Sequence, residues 1–465
     1  MSNRTRSLAA VAATATLCAA IAGSAAQAAP VSSAATTAPS AAGADFVGAQ
    51  GTYEPINATR FLDTRSGNGA PKGLVGAGGE VSVLIAGRGG VPSGLSAVVL
   101  NLTAVTPSTT TYLTAYPSGT TRPSTSNLNV VASTNRANLV TLPVGSDGRV
   151  RIYNSAGTTH ILADVVGYYQ GLATPSTAGR QSQYLNIGPV RYYDSRQGDG
   201  AFAPGESVAI DLGSGDPVED AKLAAVAVNV TVTGATGSGY ISTESASTSI
   251  LNYTKGQSLA NMAVVKANPI AGGGLGFNVV NRGPGTVHVI VDLVGIYDSS
   301  GDEFLRFRPV APQRIMDTRS GVGTAKTPLG AGEARLQTAP ATVANVDTFT
   351  VVANTTAVRP TASTYLTLYP NGFERPESSN LNVSKGAVGA NSTFIDLDEN
   401  LQYRVHNAVG STPTIVDAFG AFDYAFPEFL AGSAAKADAR QSAAHHLEQK
   451  RAAITAAVED ARTSR

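Results

Sequence analysis

Hydrophobic and polar positions alternate along most of the chain. Val226, Val228, Val230 and Val232 are interleaved with Ala227, Asn229 and Thr231, so the valines share one face of a predicted strand. Further on, Val287, Val289, Val291 and Leu293 take one face and His288, Ile290, Asp292 and Val294 the other. Both faces are mainly apolar there, which predicts a central strand. Turn-forming runs such as Ser146-Asp147-Gly148 and Pro284-Gly285 separate these segments. Short strands with regular turns predict an all-β fold of antiparallel sandwiches or small barrels. The pattern changes after Phe426. Residues 428–463 have no proline and a single glycine, and Leu447, Ile454 and Val458 fall on one stripe, predicting a helical tail.

The strands recur as three tandem copies. The copies open on Arg60-Phe61-Leu62-Asp63-Thr64-Arg65, Arg191-Tyr192-Tyr193-Asp194-Ser195-Arg196 and Arg314-Ile315-Met316-Asp317-Thr318-Arg319. Each continues with Asn-x-Thr (Asn101, Asn229, Asn354), then Leu-Asn (Asn129, Asn252, Asn382), then Ala-Asn nine residues on (Asn138, Asn261, Asn391). Each ends on an aspartate three residues before a glycine: Asp164, Asp292 and Asp417. From the Asn-x-Thr asparagine to the closing aspartate is 63 positions in every copy. Copy two reaches the same total through compensating length changes, which belong in loops. A repeat this long is a domain and not a solenoid turn, so each copy is expected to fold around its own core. The boundaries follow: a signal peptide over 1–28, a flexible leader over 29–51, β modules over 52–170, 184–298 and 304–426, and the tail over 428–463.

The first 28 residues carry Arg4 and Arg6, an apolar run from Leu8 to Ile21 and the small-x-small pattern Ala26-Gln27-Ala28. That combination predicts export, with cleavage before Ala29 and no membrane insertion afterwards. The one cysteine, Cys18, lies inside this segment, so the mature chain is expected to fold without disulfides or thiolate metal sites. Lys+Arg and Asp+Glu balance at 33 each, and a neutral chain without basic runs is a poor partner for nucleic acid.

The recurring charged motif is the first candidate for chemistry. Asp164, set in an apolar strand, needs a partner, because an unpaired buried carboxylate costs several kcal/mol. The two ends of each copy are therefore expected to meet: Asp164 with Arg60 or Arg65, Asp292 with Arg191 or Arg196, and Asp417 with Arg314 or Arg319. Asp63, Asp194 and Asp317, expected on the same strand face as Arg65, Arg196 and Arg319, would join these structural ion pairs. A carboxylate pair for acid/base hydrolysis is the competing interpretation. His160 and His288, four residues before the closing aspartates, read as half-buried strand histidines in preference to ligands. The asparagines read as turn-closing or backbone-satisfying groups in preference to sugar contacts. Tyr112 and Tyr116, with Tyr365, Tyr369 and the single counterpart Tyr240, lie on strands at i and i+4. They are the candidate stacking contacts for a carbohydrate. No residue set calls for a metal or an organic cofactor.

These marks resemble a module repeated in secreted and surface proteins of actinobacteria and some other bacteria. Its pattern runs from Arg-x-x-Asp-Thr-Arg through Asn-x-Thr and Ser-x-Leu-Asn to Asp-x-x-Gly-Tyr-Tyr, and the likeness covers most of residues 53–426. The ending is Tyr168-Tyr169 in copy one and departs to Ile296-Tyr297 and Ala421-Phe422 in the others. The resemblance implies an accessory or surface role and assigns no catalytic residue. The expected function is that of a secreted, non-catalytic, multivalent binding or surface-structural protein. Its expected partners are a cell-wall or extracellular polysaccharide, or another surface protein. The alternatives are a secreted glycoside or ester hydrolase, and a subunit that docks through the helical tail.

Overall fold

A computed structural model describes residues 3–6, 46–174, 180–214, 216–243, 248–301, 304–426 and 433–463; side chains are described from 46 onwards and, in the tail, over 438–456. The cleavage pattern at 26–28 and the tail position Val458 lie outside the residues and side chains so described. Asn3–Arg6 lies parallel to the edge strand Ser207–Asp211.

Each module is a sandwich of eight principal strands, to which module 2 adds the short strand Asn268–Pro269 beside Leu275–Asn281. In module 1 the inner sheet holds the opening strand Tyr53–Asp63, the closing strand His160–Tyr169, the Asn-x-Thr strand Ala97–Val105 and the Ala-Asn strand Arg136–Pro143, in that order. The outer sheet runs Glu80–Leu84, Arg149–Asn154, Thr111–Pro117, Leu128–Val130. Numbered within the module, the sheets read 1-8-3-6 and 2-7-4-5, the strand order of a jelly roll. Modules 2 and 3 repeat both orders. Their opening strands are Gln183–Asp194 and Leu305–Asp317, their Asn-x-Thr strands Leu223–Thr233 and Thr348–Val358. Their Ala-Asn strands are Leu259–Lys266 and Val388–Asp396, and their closing strands His288–Asp298 and Thr414–Tyr424. The constant 63-residue interval now has a cause: Asn101 sits directly opposite Asp164, Asn229 opposite Asp292 and Asn354 opposite Asp417 on adjacent central strands.

Alternation assigns the two faces of each inner sheet. Leu100, Leu102, Ala163 and Val165 face the outer sheet of module 1, whose core they share with Leu113 and Ile152. Module 3 has its own core around Val351, Leu366 and Val405. The core of module 2 does not stop at the module. From Val228, Ile241 and Phe277 it runs into Tyr53, Val99 and Leu139 of module 1 and Phe307, Val352 and Phe394 of module 3. The expectation of a separate core holds for modules 1 and 3 and is corrected for module 2, whose core merges with the seams. The second face of each inner sheet is also buried, because a neighbouring module covers it.

The modules close into a ring. Tyr53 bridges Ser182, and Tyr184 pairs with Leu305, so the inner sheets of modules 2 and 3 form one eight-stranded sheet. Phe307 N–H donates to Gly51 O at 2.8 Å and returns the circuit to module 1. Six aromatic rings fill the pseudo-threefold axis at this end. Pairs within a module lie 5.1 Å (Tyr53–Tyr169), 5.2 Å (Tyr184–Tyr297) and 5.6 Å (Phe307–Phe422) apart. Pairs between modules are closer, at 4.3 Å (Tyr53–Tyr297), 4.2 Å (Tyr184–Phe422) and 4.2 Å (Phe307–Tyr169). The motif glycines Gly167, Gly295 and Gly420 make room for Tyr53, Tyr184 and Phe307, whose rings occupy the space a Cβ would take.

The tail helix Ser433–Thr463 lies over modules 2 and 3. Ala443 and Leu447 are buried on it, and Ile454 packs against the shared core. Arg440 donates to the carbonyls of Val346 and Thr348, each at 2.7 Å. The apolar stripe read from the sequence is thus covered, at Leu447 and Ile454, by the chain's own modules.

Candidate functional site

The opening and closing strands of each module are direct neighbours, and this brings the motif charges together. Arg60 grips Asp164 with Nε at 2.5 Å and Nη2 at 3.0 Å, and reaches Asp63 with Nη1 at 3.2 Å. Arg65 holds the same Asp63 with Nε at 2.9 Å and Nη2 at 2.7 Å. Module 2 repeats the chain through Asp292–Arg191 (2.5 Å), Arg191–Asp194 (3.3 Å) and Arg196–Asp194 (2.6 Å). Module 3 repeats it through Asp417–Arg314 (2.9 Å), Arg314–Asp317 (3.0 Å) and Arg319–Asp317 (2.8 Å). Of the two arginines considered for each closing aspartate, it is the first in the motif that makes the bond. The second sits in the turn after the strand, where Asp63 Oδ1 accepts the backbone N–H of Arg65 at 2.9 Å, and not on a shared strand face.

Burial pushes the carboxyls of Asp164, Asp292 and Asp417 up, and the hydrogen bonds from Arg60, Arg191 and Arg314 work against it. Asp63 is held at about 2, chiefly by the hydrogen bonds of Arg65. Burial opposes the same effect at Asp317, but Arg319 and Arg314 together still hold it at about 2. General acid/base work needs a carboxyl that exchanges its proton near the working pH. The arginine bonds hold Asp63 and Asp317 ionised, and they fix the closing aspartates Asp164, Asp292 and Asp417 in place between strands, away from solvent. The residue after each opening aspartate ties down the start of the closing strand. Thr64 Oγ1 and Ser195 Oγ lie 3.0 Å from Nδ1 of His160 and His288, and Thr318 Oγ1 accepts Thr414 N–H at 2.9 Å. Among the described residues no group of three or more His, Cys, Asp or Glu is placed to hold a metal ion.

Five of the motif asparagines act between modules. Asn229 Nδ2 donates to Ser379 O of module 3 at 2.7 Å, Asn354 Nδ2 to Ser126 O of module 1 at 2.7 Å, and Asn101 Nδ2 to Ser249 O of module 2. All three run in one sense around the ring, each onto the serine that precedes a Leu-Asn. The Ala-Asn residues answer from the other side. Asn138 Nδ2 donates to Asn354 Oδ1 at 2.9 Å, and its Oδ1 accepts Ser392 N–H at 3.0 Å. Asn391 makes the equivalent bonds to Asn229 (3.1 Å) and Met262 N–H (2.8 Å). Asn261, their counterpart between modules 1 and 2, has a buried Oδ1 without a partner. Asn154 instead serves backbone within its own module, donating to Val75 O, Gly76 O and Gly157 O at 3.0–3.1 Å. Asn281 and Asn407 do the same in modules 2 and 3.

The candidate tyrosines lie on the outward face of the outer sheets but differ in access. Tyr112 is 41% exposed, whereas Tyr116 is 2% exposed and donates its hydroxyl to Glu80 Oε1 at 2.5 Å. Tyr369 is also buried, and Tyr240 and Tyr365 are half-buried. The i, i+4 spacing placed these rings correctly on one face; it did not foresee that Glu80, reaching across Arg149–Asn154 from the edge strand beyond it, would close over Tyr116. Sequence reasoning also missed Tyr153, whose ring stands 6.3 Å from that of Tyr112, and the axis aromatics. The latter had a signal: Tyr53, Tyr184 and Phe307 each lie seven positions before the motif arginine.

No protein-family model matches the chain, and no curated protein matches it. Among solved structures it is similar to a protein from a study of the triple jelly roll fold and turret assembly in an archaeal virus. The identity is 10% and the TM-score 0.17, over 81% of this chain and 90% of that one. A second likeness, to a chain of Sulfolobus turreted icosahedral virus, has the same identity and TM-score over 81% of this chain and 92% of that one. These superpositions are loose, and the jelly-roll description of each module rests on its own strand order.

Proposed function

We propose that the protein works outside the cell as a non-catalytic binding or surface-structural protein, and that its target is a cell-wall or extracellular polysaccharide. One observation carries this reading. The polar motifs common to all three modules, which first suggest chemistry, have structural partners: the charges fasten the ends of each module and the asparagines fasten module to module. What differs between modules, and is open to solvent, is the outward face of the outer sheets. Co-sedimentation of the mature protein with cell-wall sacculi and with an insoluble neutral glucan tests the proposal. Retention without release of soluble sugar or of any ester product is the expected result. Catalytic turnover of either polymer would overturn it.

A further inference from the structure

The ring is threefold in its fastenings but not on its outer surface, and we infer that module 1 carries a sugar-binding platform centred on Tyr112. This deepens the binding reading above and rests on it. Tyr112 presents an exposed ring, with Tyr153 beside it at a centroid distance of 6.3 Å and an angle of 51°. The guanidinium of Arg122 lies over the Tyr153 ring at 3.7 Å. Arg122 is held in turn by Glu80 (3.7 Å), which also pairs with Arg151 at 3.3 Å and accepts the Tyr116 hydroxyl. These links fix the wall of the platform before anything binds, which lowers the entropy a ligand must give up.

The chemistry fits a pyranose. An open aromatic ring takes the apolar face of a sugar, and the rim supplies guanidinium donors and a carboxylate acceptor for neighbouring hydroxyls. Beside Tyr112 a cleft opens across the seam to Val388 of module 3, with Asn129, Val131 and Ser155 along it. A chain of sugars therefore has a path past the first ring, and that path exists only in the closed ring of modules. Module 3 keeps a weaker version, with His406 standing 6.2 Å from Tyr365 where module 1 has Tyr153. Module 2 has the aliphatic Val280 at that position.

The test compares full-length mature wild type, Tyr112→Ala and Tyr112→Phe for retention on sacculi and on insoluble glucan. Thermal unfolding of all three confirms that they fold alike. Loss of one stacked ring is expected to weaken retention by about tenfold in Tyr112→Ala, and Tyr112→Phe is expected to keep most of it. Retention of Tyr112→Ala equal to wild type overturns the platform and leaves the binding reading intact. Absence of wild-type retention on both polymers overturns the sugar assignment and the polysaccharide target together, while turnover of either polymer overturns the non-catalytic reading alone.

Discussion

Replacing Asn391 with alanine measures how strongly the ring is held by its asparagines. Asn391 is fully buried at the seam of modules 2 and 3. Its Nδ2 donates to Asn229 Oδ1 at 3.1 Å and to Asn380 O at 2.6 Å, and its Oδ1 accepts Met262 N–H at 2.8 Å. Truncation leaves two acceptors and one donor without this partner. Each buried group left unsatisfied costs roughly 1–3 kcal/mol, and with some relaxation of the seam the total is about 3–5 kcal/mol. Asn261 is the matched control. It donates to Ile250 O, while its Oδ1 has no partner, so alanine removes one bond and one buried orphan acceptor together. Those effects oppose each other, and the net change is expected within about 1 kcal/mol. Urea unfolding of the full mature chain, followed by far-ultraviolet circular dichroism, reads the difference as a shift in midpoint. Equal losses in the two variants, or a larger loss in Asn261→Ala, would refute the assignment of the seam bonds.

Two further outcomes follow from the axis and the tail. Gly295→Ala would put a Cβ 2.5 Å from Cζ of Tyr184, so the ring must leave its stack on Phe422. Overpacking and lost ring pairs predict a loss of about 3 kcal/mol in thermal unfolding, whereas Gly76→Ala, with nothing near its Cβ, stays close to wild type. Rescue of Gly295→Ala by Tyr184→Leu is expected, and its failure would point to a cause other than the ring. Asp396 lies half-buried beside the tail helix, where burial pushes its carboxyl up to about 6. A folded pKa above the unfolded value of about 3.9 adds stability that is complete below pH 4 and lost as pH rises through 6. The tail is therefore expected to resist limited proteolysis better at pH 5 than at pH 7.5, with Asp396→Asn abolishing the difference; persistence in that variant would dismiss Asp396 as its source.

The strands were legible because each alternates between two environments, and the repeat was legible because the same contacts recur at constant spacing. Asn229 and Thr231, polar between buried valines, already announced a face that was neither plain core nor plain solvent. What a linear pattern does not carry is that this face belongs to another module: a buried seam and a solvated sheet face both read as polar alternation. Asp63 was placed on a strand face with Arg65 because periodicity does not mark where a strand ends. The Asx turn that stops it there is a local competition of a side chain for backbone, visible once the Arg65 N–H is seen on Asp63. Tyr116 looked like Tyr112 because its cover, Glu80, comes from a strand 36 residues away in sequence.

The bridge between Gly51 and Phe307 has a consequence for behaviour on dilution. A ring assembled from three separate polypeptides would come apart on dilution, following the mass action that governs any oligomer. With the lobes carried on one chain, each finds its neighbours at an effective concentration on the order of millimolar, whatever the volume around it. The assembly thus keeps its shape at any dilution. Covalent linkage also frees the three copies from identity, so one lobe is able to specialise while the other two keep the ring closed.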